Sequence, residues 1–148
     1  MQDSNGFGAE EMAMLLSLFA QSSGEYLAQF REALEKVAAG ADDESTREIL
    51  QRSVHSLKGA ALQLGIVHIG HLAQAIEGVA KSLRDAPQRL ESGESELLSL
   101  SADRLEAYIA DLPEGGDSAE PPADLIHRLE AVSDMLTAEG GPEAAAQS

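Results

Sequence analysis

The chain has 148 residues, of which 26 are acidic and 10 are basic, so its formal net charge at pH 7 is −16. Such an acidic surface repels the phosphates of nucleic acids and anionic lipid headgroups, and we therefore expect neither nucleic acid nor a membrane as a partner. The absence of cysteine excludes disulfides, thiolate catalysis and cysteine-ligated zinc. The length suits one domain, and because no stretch has the features of a signal peptide or a membrane span, we expect a cytoplasmic protein.

Apolar residues recur at helical spacing in five segments, and no segment alternates at the strand period. The first segment contains Gly24, where we expect a bend, and it ends at Gly40, a residue type that commonly terminates helices. The second begins at Ser45, which together with Glu48 has the form of a capping box. A linker rich in proline, glycine and acidic residues separates the fourth segment from the fifth. In chain order, the predicted helices span about residues 9–38, 45–64, 68–84, 94–112 and 123–138.

The apolar stripes of helices two to five advance by alternating steps of three and four residues, a pattern that favours packing at shallow crossing angles. Short connections between helices favour antiparallel neighbours. We therefore predict an all-α fold, an antiparallel up-down four-helix bundle with a fifth C-terminal helix, and disorder in residues 1–8 and 139–148. The stripes consist of Met12, Leu16, Phe19, Tyr26, Phe30, Leu34 and Val37, then Leu50, Val54, Leu57, Ala61 and Leu64, then Ile69, Leu72, Ile76, Val79 and Leu83, then Leu98, Ala102, Leu105, Ile109 and Leu112, and finally Leu125, Leu129, Val132 and Leu136.

The second helix carries the residues that could take part in a chemical reaction. His55 lies about 100° from the edge of the apolar stripe, so we expect its imidazole to face solvent. Lys58 and Gly59 follow at i+3 and i+4, on the same surface. A glycine inside a helix costs about 1 kcal/mol relative to alanine, and Gly59 is easier to explain if it lets another protein approach His55. Lys58, together with Arg52 at i−3, places positive charge where a phosphoryl group on His55 would be negative.

Each of these residues also has a plain structural explanation, because an exposed histidine or lysine is usually a solvated surface residue and a helical glycine is often a site of close packing. Together, however, they match a known motif. The chain resembles the histidine phosphotransfer (HPt) family over about residues 9–138, and most closely the five-helix N-terminal phosphotransfer domain of CheA-type chemotaxis histidine kinases. The stretch LSLFAQSSGEYLAQFREAL is similar to the opening helix of that domain. The motif, H-x-L-K-G-x-x-x-x-L-G, is complete as His55, Leu57, Lys58, Gly59, Leu64 and Gly65.

The resemblance implies that His55 accepts a phosphoryl group from a histidine kinase catalytic domain and donates it to an aspartate of a response-regulator receiver domain. Glu77 matches a family glutamate that hydrogen-bonds the phosphoacceptor ring, and a carboxylate that accepts the Nδ1 proton leaves Nε2 as the nucleophile. A second histidine often found one turn earlier is replaced here by Gln74. The resemblance further implies a phosphocarrier that is not an enzyme by itself but can form part of a larger CheA-type kinase. It implies no cofactor for the domain, with magnesium and ATP supplied by the partner domains.

We expect the partners to dock on a surface around His55 that consists of Gln51, Arg52, Leu62, Gln74 and Lys81. The alternative function is a helical adaptor that binds a partner without phosphotransfer. That alternative predicts loss of the histidine or of its carboxylate, and both are present.

The chain has three other histidines, His68, His71 and His127. His68 and His71 are spaced i, i+3 and could share a face, but a metal site needs more ligands, so capping or surface roles are expected. His127 lacks the paired Glu-x-x-His motifs of a di-iron bundle. No phosphate-binding loop or nucleophile elbow is present, so we expect the chain neither to bind ATP nor to phosphorylate itself.

Overall fold

In a computed structural model, which describes residues 8–40, 43–85, 90–112 and 119–140, the chain forms five α-helices. They are α1 (Ala9–Ala38), α2 (Glu44–Gln63), α3 (Val67–Asp85), α4 (Ser92–Asp111) and α5 (Ala123–Gly140). The predicted all-α class with five helices is confirmed. The loop around Pro87, residues 113–118 of the linker, and most of the two termini predicted to be disordered lie outside the described residues. None of the described helices combines the length and the apolar character needed to cross a membrane.

Helices α1 to α4 surround one core, because α1 and α3 each pack against both α2 and α4. The fifth helix packs mainly against α3, as expected for a helix added to a four-helix bundle. Its inner face is partly polar: the hydroxyl of Ser82 on α3 lies 3.2 Å from that of Ser133 and 3.0 Å from that of Thr137 on α5. The added helix is thus held by hydroxyl contacts as well as by buried leucines.

The core contains most of the predicted apolar stripes, and those of α3 and α4 are buried along their whole length. In α1, however, Met12, Leu16 and Tyr26 are only partly buried, and Phe19 is the first buried residue of the helix. For Met12 and Leu16 the reason is length: α1 has 30 residues and is about 45 Å long, whereas its neighbours are about 30 Å long, so its first turns extend past them. Leu64 and Val132 are also only partly buried.

The structure corrects the predicted start of α2. Asp43, not Ser45, is the N-cap, and its carboxylate accepts a hydrogen bond from the Thr46 backbone N–H at 2.8 Å. This hydrogen bond holds the pKa of Asp43 below its ordinary value. A reciprocal capping box does occur, but at the start of α4, between Glu91 and Glu94.

Gly24 and Gly65 have different effects on the helices around them. Helix α1 runs through Gly24 without interruption, so this glycine does not end the helix. Gly65 does end α2, with φ at +75°. The Gly65 N–H donates to Leu62 O and the Ile66 N–H to Ala61 O, which together form a Schellman motif.

This turn sets the register of the two helices that it joins. It reverses the chain, so α3 returns along α2. His55 and Glu77 lie at similar distances along the chain before and after Gly65, and they therefore stand at about the same height on neighbouring helices.

Candidate functional site

His55 lies on the outer surface of α2, and its side chain is 59% exposed. Its Nδ1 lies 2.5 Å from Oε2 of Glu77 on α3, whose side chain is only 12% exposed. One edge of the imidazole is therefore tied to the bundle, while the rest of the ring faces solvent. This is the geometry implied for the pair by the sequence resemblance.

Glu77 is the centre of the site because three side chains of α2 contact its carboxylate. Lys58 Nζ lies 2.6 Å from Oε1, and Gln51 Nε2 donates to Oε2 at 2.9 Å, beside His55. Burial raises the pKa of the Glu77 carboxyl, but the hydrogen bonds from Lys58, His55 and Gln51 and the charge of Lys58 outweigh it. The pKa of Glu77 is held below its ordinary value, so the group is ionised at neutral pH.

The ionised state of Glu77 determines the tautomer of His55. A carboxylate can only accept hydrogen bonds, so the hydrogen in the 2.5 Å contact belongs to Nδ1 of the ring. A neutral imidazole carries one such hydrogen, and Nε2 is left with a free lone pair. The arrangement therefore presents a nucleophilic nitrogen on the side of the ring away from Glu77.

The sequence predicts that Lys58 and Arg52 place positive charge beside His55, but in the structure each of these side chains is paired with a glutamate. Lys58 is largely buried, with a side chain 23% exposed, and its ammonium contacts Glu77. Arg52 points along the helix to Glu48, with an N–O distance of 3.2 Å, and both side chains are exposed. An exposed pair of this kind contributes little to stability.

Gly59 is exposed, and apart from the adjacent backbone of its own helix no atom lies within 4 Å of the position that a Cβ would occupy. Its lack of a side chain is therefore not required by packing inside the bundle. Gly70 on α3 is the contrasting case, because a Cβ there would overlap the side chain of Leu62. Gly59 leaves open surface one turn from His55, as the access argument requires.

The remaining residues predicted for partner binding take different positions. Leu62 is exposed and covers Gly70, while Gln74 and Lys81 are exposed on α3. Gln74 lines a groove of about 650 Å³ between α3 and α5. Gln51, in contrast, is half-buried and bound to Glu77, so it belongs to the site itself.

Arg84 is a member of the site that the sequence analysis missed. Its Nη1 donates to Oε1 of Gln51 at 3.0 Å, which connects it through Gln51 to Glu77. Its position seven residues after Glu77 places both on one face of α3, and that spacing was the available signal.

The expected surface role of His68 is wrong. The side chain is fully buried, and its ring meets that of Tyr108 edge-on, with the ring centroids 4.6 Å apart. His71 is exposed, so the two histidines do not share a face, and His127 is exposed on α5. Within the described ranges, no group of three or more His, Cys, Asp or Glu side chains is placed to hold a metal.

A family model described as the Hpt domain matches residues 14–138. The chain belongs to the Hpt domain family. Among curated proteins, the chain is similar to the chemotaxis protein CheA of Halobacterium salinarum, with 23% identity over 126 residues. The match covers 85% of this chain and 19% of the relative, so the chain spans about a fifth of the length of the curated relative. No solved structure matches the chain significantly.

These findings confirm the resemblance to Hpt domains of the CheA type. An Hpt domain is a phosphocarrier that works with histidine kinases and response regulators in a phosphorelay. Histidine phosphotransfer is accordingly the general function of this chain, and the described pair of His55 and Glu77 lies inside the matched region.

Proposed function

We propose that His55 accepts a phosphoryl group on Nε2 from the catalytic domain of a histidine kinase and passes it to an aspartate of a response-regulator receiver domain. The observation that carries the proposal is the contact of Nδ1 with the ionised Glu77, which leaves the Nε2 lone pair on the exposed part of the ring. The other three histidines are placed differently: His68 is buried in the core, and His71 and His127 lie on other surfaces.

In the first step, the Nε2 lone pair attacks the γ-phosphorus of ATP that the kinase holds. The Nε2–P bond forms while the bond from that phosphorus to the bridging oxygen breaks, and ADP leaves with the electron pair. The hydrogen stays on Nδ1, so the ring becomes positively charged as the new bond forms. Glu77, fixed against Nδ1, stabilises this charge as a carboxylate stabilises the imidazolium of a hydrolase triad.

In the second step, a carboxylate oxygen of the receiver aspartate attacks the phosphorus, and the Nε2–P bond breaks with its electron pair returning to the ring. Gly59 provides the open surface along which the receiver approaches. The Lys58 ammonium contacts Glu77, and its remaining N–H groups can bind a phosphoryl oxygen. Arg52, Leu62, Gln74 and Lys81 surround this approach as the docking surface.

Magnesium and ATP are assigned to the partner domains. The carboxylate in contact with His55 has both oxygens engaged by donors from α2, which makes it a poor ligand for a cation. We place this domain at the N-terminal end of a chemotaxis-type histidine kinase, and the similarity to a chemotaxis protein supports the chemotaxis context.

The proposal is tested with His55→Gln. The full chain is incubated with labelled ATP and a chemotaxis-type kinase that lacks its own phosphotransfer domain, and separately with phosphoramidate, a small phosphoryl donor that needs no docking surface. The wild type should acquire phosphate that is labile in acid and stable in base, and the variant should acquire none.

The matched controls are His71→Gln and His127→Gln, because both histidines are exposed and neither contacts Glu77. Both controls should be labelled like the wild type. Equal labelling of His55→Gln would place the phosphoacceptor elsewhere. A wild type that neither donor labels would contradict phosphotransfer and support the adaptor function.

A further inference from the structure

Gln51 connects two residues of α3 from its place on α2. Its Nε2 donates to Oε2 of Glu77 at 2.9 Å, and its Oε1 accepts from Nη1 of Arg84 at 3.0 Å. The same Oε2 contacts Nδ1 of His55. Arg84, Gln51, Glu77 and His55 thus form a continuous chain of hydrogen bonds that crosses between the two helices three times.

The neighbours of Gln51 permit one orientation of its amide. A guanidinium only donates hydrogen bonds and an ionised carboxylate only accepts them. If the amide were rotated by half a turn, its NH₂ would face Arg84 and its oxygen would face Glu77, and both hydrogen bonds would be lost. Arg84 therefore selects the orientation in which the NH₂ group of Gln51 points to Glu77.

The hydrogen bond from Gln51 also constrains Glu77. The last torsion of a glutamate side chain is broad, so a carboxylate held at one point can still turn. Lys58 holds Oε1, and without Gln51 the position of Oε2 would depend on the exposed ring of His55 alone. Gln51 provides a second, half-buried contact on Oε2, while Gln74, one turn before Glu77 on its own helix, is exposed.

We propose that Gln51 and Arg84 are positioning residues for phosphotransfer: Arg84 orients the Gln51 amide, and Gln51 fixes the Glu77 oxygen that holds Nδ1 of His55. The inference rests on the proposed function, since it describes how the nucleophile is kept in its reactive tautomer. It gives Gln51 a role in supporting the reacting ring, whereas the sequence analysis assigned this residue to the docking surface.

The test uses phosphoramidate with the full chain, because a small donor separates positioning from partner docking. In this reaction the Nε2–P bond forms, the P–N bond of phosphoramidate breaks, and ammonia leaves. Gln51→Leu should slow labelling about 2- to 10-fold, the effect of one lost hydrogen bond on the barrier. Arg84→Met should slow it less, because Gln51 remains and only its orientation is released.

The double variant decides whether the two residues act as one unit. Adding Arg84→Met to Gln51→Leu should cause no further loss, whereas independent residues would show multiplied effects. Arg128→Met, which removes the same charge from an exposed site on α5, should label at the wild-type rate. Circular dichroism checks that each variant is folded, and if Gln51→Leu is not, Arg84→Met alone tests the proposal.

A spectroscopic measurement distinguishes positioning from a general structural role. Ring ¹⁵N shifts of His55 should report mainly the Nδ1–H tautomer in the wild type and a mixture in Gln51→Leu, and the titration of the Glu77 carboxyl should move to higher pH. Wild-type labelling together with unchanged tautomers, or multiplied effects in the double variant, would overturn the inference. Labelling of His55→Gln would instead contradict the proposed function, so the two failures are distinguishable.

Discussion

Substitution of Gly59 should separate the stability of α2 from the access that it gives to His55. Gly59 lies inside the helix, and a Cβ there would meet nothing within 4 Å. Gly59→Ala should therefore stabilise the protein by about 0.8–1 kcal/mol, the difference in helix propensity. Phenylalanine is a poorer helix former than alanine, so Gly59→Phe should retain roughly half of that gain. For a chain of this length, 1 kcal/mol corresponds to about 3–4 °C in Tm.

The effect of Gly59→Phe on phosphotransfer should have the opposite sign. The new ring would stand one turn from His55, on the surface that a receiver domain must approach. A misplacement of about 1 Å between reacting groups can cost about 100-fold in rate, and a phenyl ring displaces a partner by more than that. We therefore expect transfer to fall at least 100-fold or so in Gly59→Phe, and less in Gly59→Ala.

The assay combines thermal unfolding with transfer from the labelled chain to a chemotaxis receiver domain. Gly24→Phe is the matched control, because Gly24 is also inside a helix and also has no atom within 4 Å of its Cβ position. The control should gain similar stability and transfer normally. A drop in Tm for Gly59→Ala would show that Gly59 is a packing residue, and normal transfer by Gly59→Phe would refute the access argument.

Two further predictions concern charged side chains. The pKa of Glu77 is lower in the folded protein than in the unfolded chain. Between these two pKa values the unfolded state binds more protons, so the free energy of unfolding decreases as the pH falls through this acidic range. Chemical unfolding should show a weaker acid dependence for Glu77→Gln in that range, and equal dependence would contradict the lowered pKa. Loss of the N-cap in Asp43→Ala should cost about 0.5–2 kcal/mol, whereas Ser45→Ala should change the free energy of unfolding little, and the reverse order would restore Ser45 as the cap.

The helices and the core could be predicted because their determinants are local. An apolar stripe such as that of α3 specifies both the helix and the face that it buries, and every residue predicted for that stripe is buried. Ends are less certain, since two neighbouring residues can both serve as caps. Asp43 and Ser45 are such a pair, and the sequence did not distinguish between them.

The site was predictable only in part. Spacing along α2 placed Lys58 and Gly59 beside His55, because neighbours within one helix follow from its pitch. Contacts between helices depend on their relative register, which is set here by the turn at Gly65. The resemblance therefore supplied Glu77, while spacing within α2 gave no indication that Lys58 contacts Glu77.

His68 shows a different kind of error. The sequence analysis predicts a capping or surface role for His68, although this residue lies four residues before the buried Leu72 and thus on the apolar face of α3. Its ring packs edge-on with the ring of Tyr108. Position within the stripe was the better guide, because an imidazole has enough apolar surface to pack in a core.

The charges around His55 explain how a strongly acidic chain can carry a phosphoryl group. A carboxylate beside a phosphorylated ring would repel the phosphoryl group, yet the Glu77 carboxylate contacts Nδ1. Lys58 resolves the conflict, because its ammonium lies 2.6 Å from the carboxylate and cancels the charge locally. Arg84, which donates to Gln51, is itself paired with Asp85 at 3.2 Å, so it adds little net charge to the site. With the net charge at −16 and a screening length of about 8 Å at physiological salt, the acids of the distant surface act weakly here, and the near pair sets the potential at the ring.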